Sequence, residues 1–178
     1  MIPGVATRIG FLRAINLGAH RKFPKASIIK AVEAAGFTDV ATYINTGNVR
    51  FDTTLRSRAK IESALEAAFE AEAGFAVPTV VFTQAELRAI AAEAGSFGHV
   101  GRHYVSLCKE VASAAAVARL EATSTAEEVA KVGGRAVHLM LGENYHEARL
   151  TNAAVEKHLG VATNRNLTVI NALVERWC

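Results

Sequence analysis

The stretch VATYINTGNVRFD, residues 40–52, decides the fold. Val40, Thr42 and Ile44 alternate along one side, Thr46-Gly47-Asn48 supplies turn chemistry, and Val49 and Phe51 resume the alternation. That pattern predicts a β-hairpin. Before it, KASIIKAVEAAGF (25–37) puts Ile28, Ile29, Val32 and Ala35 on one helical stripe, with Gly36 as the stop. Before that helix, TRIGFLRAI (7–15) reads as a strand. After the hairpin, RSRAKIESALEAAFEAEAGF (56–75) repeats the helical spacing through Ile61, Leu65, Ala68 and Phe69 and ends near Gly74. FAVPTVVF (75–82) closes the segment as a strand, with Pro78 marking an edge or a bulge. The order is β-α-β-β-α-β, the ferredoxin-like arrangement.

The second half retraces this path. A helix over TQAELRAIAAEAG (83–95) precedes the strand RHYVSLCKEV (102–111) and the helix SAAAVARLEAT (113–123). The strands EEVAKV and RAVHLML follow, joined through Gly133-Gly134, a strong hairpin signal. Two helices are predicted to finish the chain, TNAAVEKHLG (151–160) and NLTVINALVERW (166–177). The fold class is therefore α+β: two ferredoxin-like (βαββα-type) lobes related by duplication, plus C-terminal helices. The lobes are expected at residues 1–82 and 83–178 and, without a Pro/Ser-rich linker between them, as one compact unit.

The 178 residues are 51% hydrophobic and 21% charged, an ordinary globular balance that argues against disorder. No apolar run approaches the roughly 18 residues of a membrane span, so no membrane partner is expected. The opening MIPGVATRIG lacks a basic segment followed by an apolar core, and the two cysteines, Cys108 and Cys178, form no disulfide framework. Both features lead us to expect a cytoplasmic protein. Oligomeric state is not legible.

Charge is unevenly spread. Residues 1–60 hold ten Lys and Arg against Glu33, Asp39 and Asp52, a balance of +7 within a chain of net charge +3. Such asymmetry points to anionic partners for the N-terminal part or, more blandly, to a solvated face. Its most concentrated stretch is LRAINLGAHRKFP (12–24), where a strand gives way to Asn16, Gly18, His20, Arg21 and Lys22 before Pro24. With Pro24 in the first turn of the following helix, Arg21 and Lys22 stand beside its positive end. Cations gain nothing there unless an anion bridges them, and helix N-termini bind anions readily. Against this, Asn16 can simply hydrogen-bond its own loop, and Asn-Thr-Gly-Asn is a good turn for backbone reasons alone. Near the end of the chain, Arg165 beside a helix start repeats the anion argument, while Asn164 or Asn166 can serve only as a cap.

Familiar catalytic signatures are absent: no phosphate-binding loop, no dinucleotide fingerprint, no H-E-x-x-H and no G-x-S-x-G. His99 and His103 are four apart, but Gly98 and Gly101 make the segment a loop, and no metal site is assigned. Cys108 and His138 lie in apolar strand patterns and read as core residues.

Three stretches, LRAINLGAHRKFP, GFTDVATYINTGNVRF (36–51) and LGVATNRNLTV (159–169), together resemble the bacterial domain of unknown function family 1697. Its members carry an L-R-G-I-N-V-G-G start, a T-Y-I-Q-S-G-N-V hairpin and a T-T-R-N-W-N-T-V ending. The resemblance implies a two-lobed α+β fold and no established activity. Arg13, Asn16, Gly18, Lys22, Pro24, Tyr43, Gly47, Asn48, Arg165 and Asn166 fall on matching positions. Ala14, Ala19, Asn45, Leu167 and Thr168 depart from the pattern.

The leading functional expectation is a site for a phosphorylated or otherwise anionic small molecule, such as a nucleotide. It would be built from Arg13, Asn16, Gly18, Lys22, Tyr43, Asn45, Asn48, Arg165 and Asn166. No cofactor and no catalytic residue is assigned. The alternatives are a nucleic-acid-binding module, which stacks bases on aromatics of the central strands and for which Phe11, Tyr43 and Phe51 are available, and a non-catalytic protein-interaction module.

Overall fold

Strand β1 (Ala6–Leu12) leads into helix α1 (Lys25–Ala34), and the hairpin β2 (Thr38–Tyr43) and β3 (Asn48–Thr53) follows. Helix α2 (Arg58–Ala73) and strand β4 (Thr79–Thr83) complete the first compact unit, which spans Met1–Gln84. The structure is a computed structural model and describes residues 4–178. Residues 1–3, part of the opening segment inspected for a leader, lie outside the described residues. The sheet is antiparallel with strand order β2-β3-β1-β4. Arg8 faces Phe51 and Thr83 on its two neighbours, and Gly10 faces Val49 and Val81.

One face of this sheet carries Leu12, Val49, Phe51 and Val81, all buried against Ile28 and Val32 of α1 and Ile61, Leu65 and Phe69 of α2. Of the helical stripes expected from spacing, Ile28, Val32, Ile61, Leu65 and Phe69 are buried and Ala35 and Ala68 pack partly against them, while Ile29 is half-buried and Ala31 takes a core place instead. Phe23 packs edge-on against Phe69 at 5.5 Å, and Phe37 lies 4.9 Å from Phe51. Each such ring contributes roughly 1.5–3 kcal/mol through burial. Helix α2 starts at Ser57, whose hydroxyl accepts from Lys60 N.

The second unit, Ala85–Cys178, contains most of α3 (Gln84–Ser96) and then repeats the circuit. It runs β5 (Arg102–Cys108), α4 (Ala114–Glu121), β6 (Glu128–Gly133), β7 (Ala136–Leu141), α5 (Asn152–Leu159), β8 (Ala162–Asn166) and α6 (Leu167–Trp177). Its sheet order, β6-β7-β5-β8, reproduces that of the first. The architecture is α+β with two ferredoxin-like units.

Three local expectations need correction. The segment ATNRN is a strand, β8, paired with β5 through Val105 and Arg165; of the two helices expected at the end of the chain, only α6 lies beyond the second β-α-β-β-α-β circuit. The second hairpin turns on Gly134-Arg135, since Gly133 already pairs with Ala136. Asn48 belongs to β3 and pairs with Tyr43, so the first hairpin turn is residues 44–47. Among the described residues no helix is long and apolar enough to cross a membrane.

Candidate functional site

The chain between β1 and α1 holds an unusual backbone. Ala14, Asn16 and Arg21 all take positive φ (58°, 53° and 52°), as does Gly18. Non-glycine residues in this region carry strain, which collects where surrounding structure over-determines the chain. Asn16 does much of the determining. Its side-chain nitrogen donates to Phe23 O (3.1 Å) and Asn45 O (2.8 Å), and its oxygen accepts from Phe23 N (2.8 Å). One amide thereby clips the loop to itself and to the hairpin turn.

Arg21 is also committed. Its guanidinium stacks over the Phe75 ring at 4.5 Å, donates to Ala76 O at 2.7 Å and, through Nε, to Ala14 O. Carbonyl oxygens and a ring face receive its charge. Arg13 anchors the loop through its backbone N–H to Pro78 O (2.9 Å). At the start of β3, Asn48 is buried and donates across the turn to Tyr43 O and Thr46 Oγ1, both at 3.0 Å. Gly47 is buried with φ 85°, and its carbonyl accepts from Leu12 N (2.8 Å). Ile44, a β-branched residue, sits at φ 51°.

The braced loop leads into α1, and here the chemistry changes. Pro24 stands just before the helix as its N-cap, one residue earlier than the first-turn place expected for it, and supplies no side-chain cap. Helices α2, α4, α5 and α6 are capped by Ser57, Ser113, Thr151 and Asn166. Among the described residues, the N–H groups of Lys25, Ala26 and Ser27 meet no acceptor, and the first turn holds no acid. His20, Lys22 and Lys25 are exposed, and among the described residues their side chains have no partner. Asn45 is exposed as well, its carbonyl held by Asn16 and its side-chain amide unengaged among the described residues. Loop bracing, an uncapped helix start and three loose basic side chains thus meet in one place. Lys22 is among the site residues expected from the sequence, whereas His20 and Lys25 are not; their spacing around Pro24 is the available signal.

Strain in the loop has a measurable consequence. Ala14→Gly should raise stability by about 0.5–1 kcal/mol, read as a higher urea midpoint, because glycine tolerates positive φ without a Cβ penalty. A midpoint that fell would show that Ala14 is not strained.

Arg165 and Asn166 belong to the second unit and are described there. Asn166 caps α6, accepting from Thr168 N at 2.9 Å. Arg165 is buried in β8 and donates through one nitrogen to Thr163 Oγ1 and to Asn164 O, both at 2.8 Å. Burial pulls its pKa down to about 10, the direction expected for a desolvated cation. Burial likewise raises the Cys108 thiol to about 11, as suits a core cysteine.

The second unit also holds a titratable chain that spacing alone did not reveal. His138 Nε2 lies 3.2 Å from Glu93 Oε2, and His138 Nδ1 lies 3.0 Å from His103 Nε2. A carboxylate only accepts, so His138 donates through Nε2 and accepts at Nδ1, and His103 donates through its own Nε2. Both rings are buried, and His103 is pulled down to about 4 by burial and by the neighbouring His138 and His99. His99 precedes β5 in a loop, and no group of three or more His, Cys, Asp or Glu side chains among the described residues could hold a metal ion.

Comparison with known proteins adds a family and a fold. A family model described as a protein of unknown function (DUF1697) matches residues 5–138. The conserved bacterial protein SP0830 from Streptococcus pneumoniae has a similar structure, with a TM-score of 0.73 and 19% sequence identity. The likeness covers 96% of this chain and 98% of that one. No curated protein matches the sequence.

Proposed function

This chain belongs to DUF1697, a family described by no activity, and from its own residues we propose that it binds a phosphorylated or otherwise anionic small molecule at the start of α1. The observation that carries the reading is the uncapped first turn of α1 flanked by His20, Lys22 and Lys25, none of them paired within the described residues. Amide N–H groups and the positive end of the helix dipole favour an anion there, and the basic side chains supply countercharge. A bound phosphate would turn their unfavourable position beside the helix start into a favourable one.

The geometry redistributes roles among the residues expected to form the site. Lys22 and the Asn45 side chain remain candidates for direct contact, joined by His20 and Lys25. Asn16, Arg21 and Asn48 act by holding the loop and hairpin in place. Arg165 and Asn166 have the structural partners described above and are not needed for this reading.

A nucleic-acid-binding sheet has less support. Stacking bases needs exposed aromatics, and Phe11 and Phe51 are fully buried.

A thermal-shift titration at low salt with inorganic phosphate, nucleotides and sugar phosphates tests the proposal. Ligand at about 100 times its Kd should stabilise the protein by roughly 2.7 kcal/mol. The double variant Lys22→Ala, Lys25→Ala should lose most of that stabilisation while keeping its unliganded Tm. A full ligand-induced shift in the double variant would overturn the assignment.

A further inference from the structure

At the end of the second sheet where β5 begins and β7 finishes, two open cavities of about 410 and 540 Å³ share Val100, Glu127 and Gly142. Together they form a groove of ligand size. Its apolar surface comes from Phe97, Val129 and Met140, and Val100 stands 94% exposed at its mouth. A large apolar side chain so fully in water gains from any apolar body laid over it.

Around this apolar surface stand two carboxylates and one guanidinium. Glu127 and Glu143 contribute carboxylates, and among the described residues neither carboxylate has a hydrogen-bond or ion-pair partner. The only Lys or Arg lining the groove among the described residues, Arg102, is already engaged: its guanidinium lies 4.4 Å over the Tyr145 ring and donates to Tyr145 Oη at 3.0 Å. His99 Nε2 lies near the carbonyl oxygens of Arg102 (3.2 Å) and Leu141 (3.1 Å), so its proton points at backbone. Gly142 makes room for the acid. A Cβ there would stand 2.5 Å from Glu127 Oε2, so the carboxylate rests directly over bare backbone.

An apolar surface beside two unpartnered carboxylates, with its one arginine held on Tyr145, selects for one ligand chemistry. We propose that this groove binds a small organic ammonium ion, an aryl- or alkylamine whose apolar body covers Met140 and Val129 and whose nitrogen donates to Glu127. An organic anion of the same shape is disfavoured by the like charge, and a neutral isostere lacks the charge-assisted hydrogen bond. The site lies in the second unit and is independent of the anion site proposed at α1.

The test uses the intact chain with methyl-labelled methionine and valine. Met140 is one of only two methionines, so its ε-methyl signal is easily assigned. Three probes of matched shape are titrated: 2-phenylethylamine, 2-phenylethanol and phenylacetate. The amine should shift the Met140, Val129 and Val100 methyls and bind about tenfold more tightly than the alcohol, as one charge-assisted hydrogen bond predicts. Phenylacetate should bind most weakly. Glu127→Gln, a change at an exposed and unpartnered side chain, should bring the amine down to the affinity of the alcohol, and Gly142→Ala should do the same by displacing the carboxylate. Equal affinities for the three probes, no shift at these methyls at the solubility limit of the amine, or an undiminished preference in Glu127→Gln would each overturn the proposal.

Discussion

Lowering the pH from 6.5 to 4 is expected to remove up to about 3 kcal/mol of stability through His103 alone. The sign follows from the neutral form being the one that fits. His103 is 6% exposed, and its Nε2 proton is spent on His138. In the unfolded chain its pKa returns to 6.5, whereas in the folded protein it is held near 4. As the pH falls through 6.5 the unfolded chain takes up a proton that the folded protein refuses. Stability is therefore complete above pH 6.5, declines down to about pH 4, and below that changes no further on this account. Burial pushes His138 in the same direction, with Glu93 opposing. Urea unfolding at a series of pH values measures the slope. His103→Gln retains an N–H donor for His138 without a titrating ring, and its stability should depend much less on pH across this window. An unchanged slope in that variant would show that His103 is not responsible.

Gly47→Ala is expected to cost roughly 2–5 kcal/mol, a sum of two penalties. The residue has φ 85°, where a Cβ costs about 1–2 kcal/mol by collision with the neighbouring carbonyl. Space is lacking as well: the new methyl would lie 2.7 Å from Leu12 Cβ, 3.1 Å from Ile15 Cδ1 and 3.3 Å from Leu12 O. The nearest of these atoms is fixed to backbone, so relief requires moving β1 against the turn, and overpacking of this kind typically costs about 1–3 kcal/mol. Because Gly47 O also accepts from Leu12 N, the shift would loosen the hydrogen bond that seats the hairpin on β1. Equilibrium denaturation measures the loss. Gly18→Ala is a useful control, since its φ is also positive (56°) but no heavy atom lies within 4 Å, and it should lose only the conformational part.

The same contrast explains what was legible in the sequence. Periodicity located β1 to β7 and all six helices because each presents a stripe or an alternation to a core. Strand β8 escaped because Ala-Thr-Asn-Arg-Asn carries no such alternation; its inward-facing residues include Arg165, which a hydropathy pattern reads as exposed. At the candidate site, residue types were visible but their partners were not. An asparagine can donate and accept, so nothing in the letters told that Asn16 would spend both functions on Phe23 and Asn45. The strain at Ala14 did leave a trace: the family pattern has glycine there, and the positive φ is the reason such a residue suits the position. The Glu93–His138–His103 chain joins residues 35 and 45 positions apart: the register of β5 on β7 brings the two histidines together, and Glu93 reaches His138 from α3.

Strand order has a further consequence in the order of synthesis. Every strand of the first sheet lies between Ala6 and Thr83, so its pairing needs nothing translated later. At about 5–20 residues per second, the ribosome spends several seconds making the residues from Ala85 onward. Hairpins form in roughly microseconds. The first sheet therefore has ample time to close while the second is still being made. The second, whose edge strand β8 is made after the other three, completes its pairing only once Ala162–Asn166 has emerged.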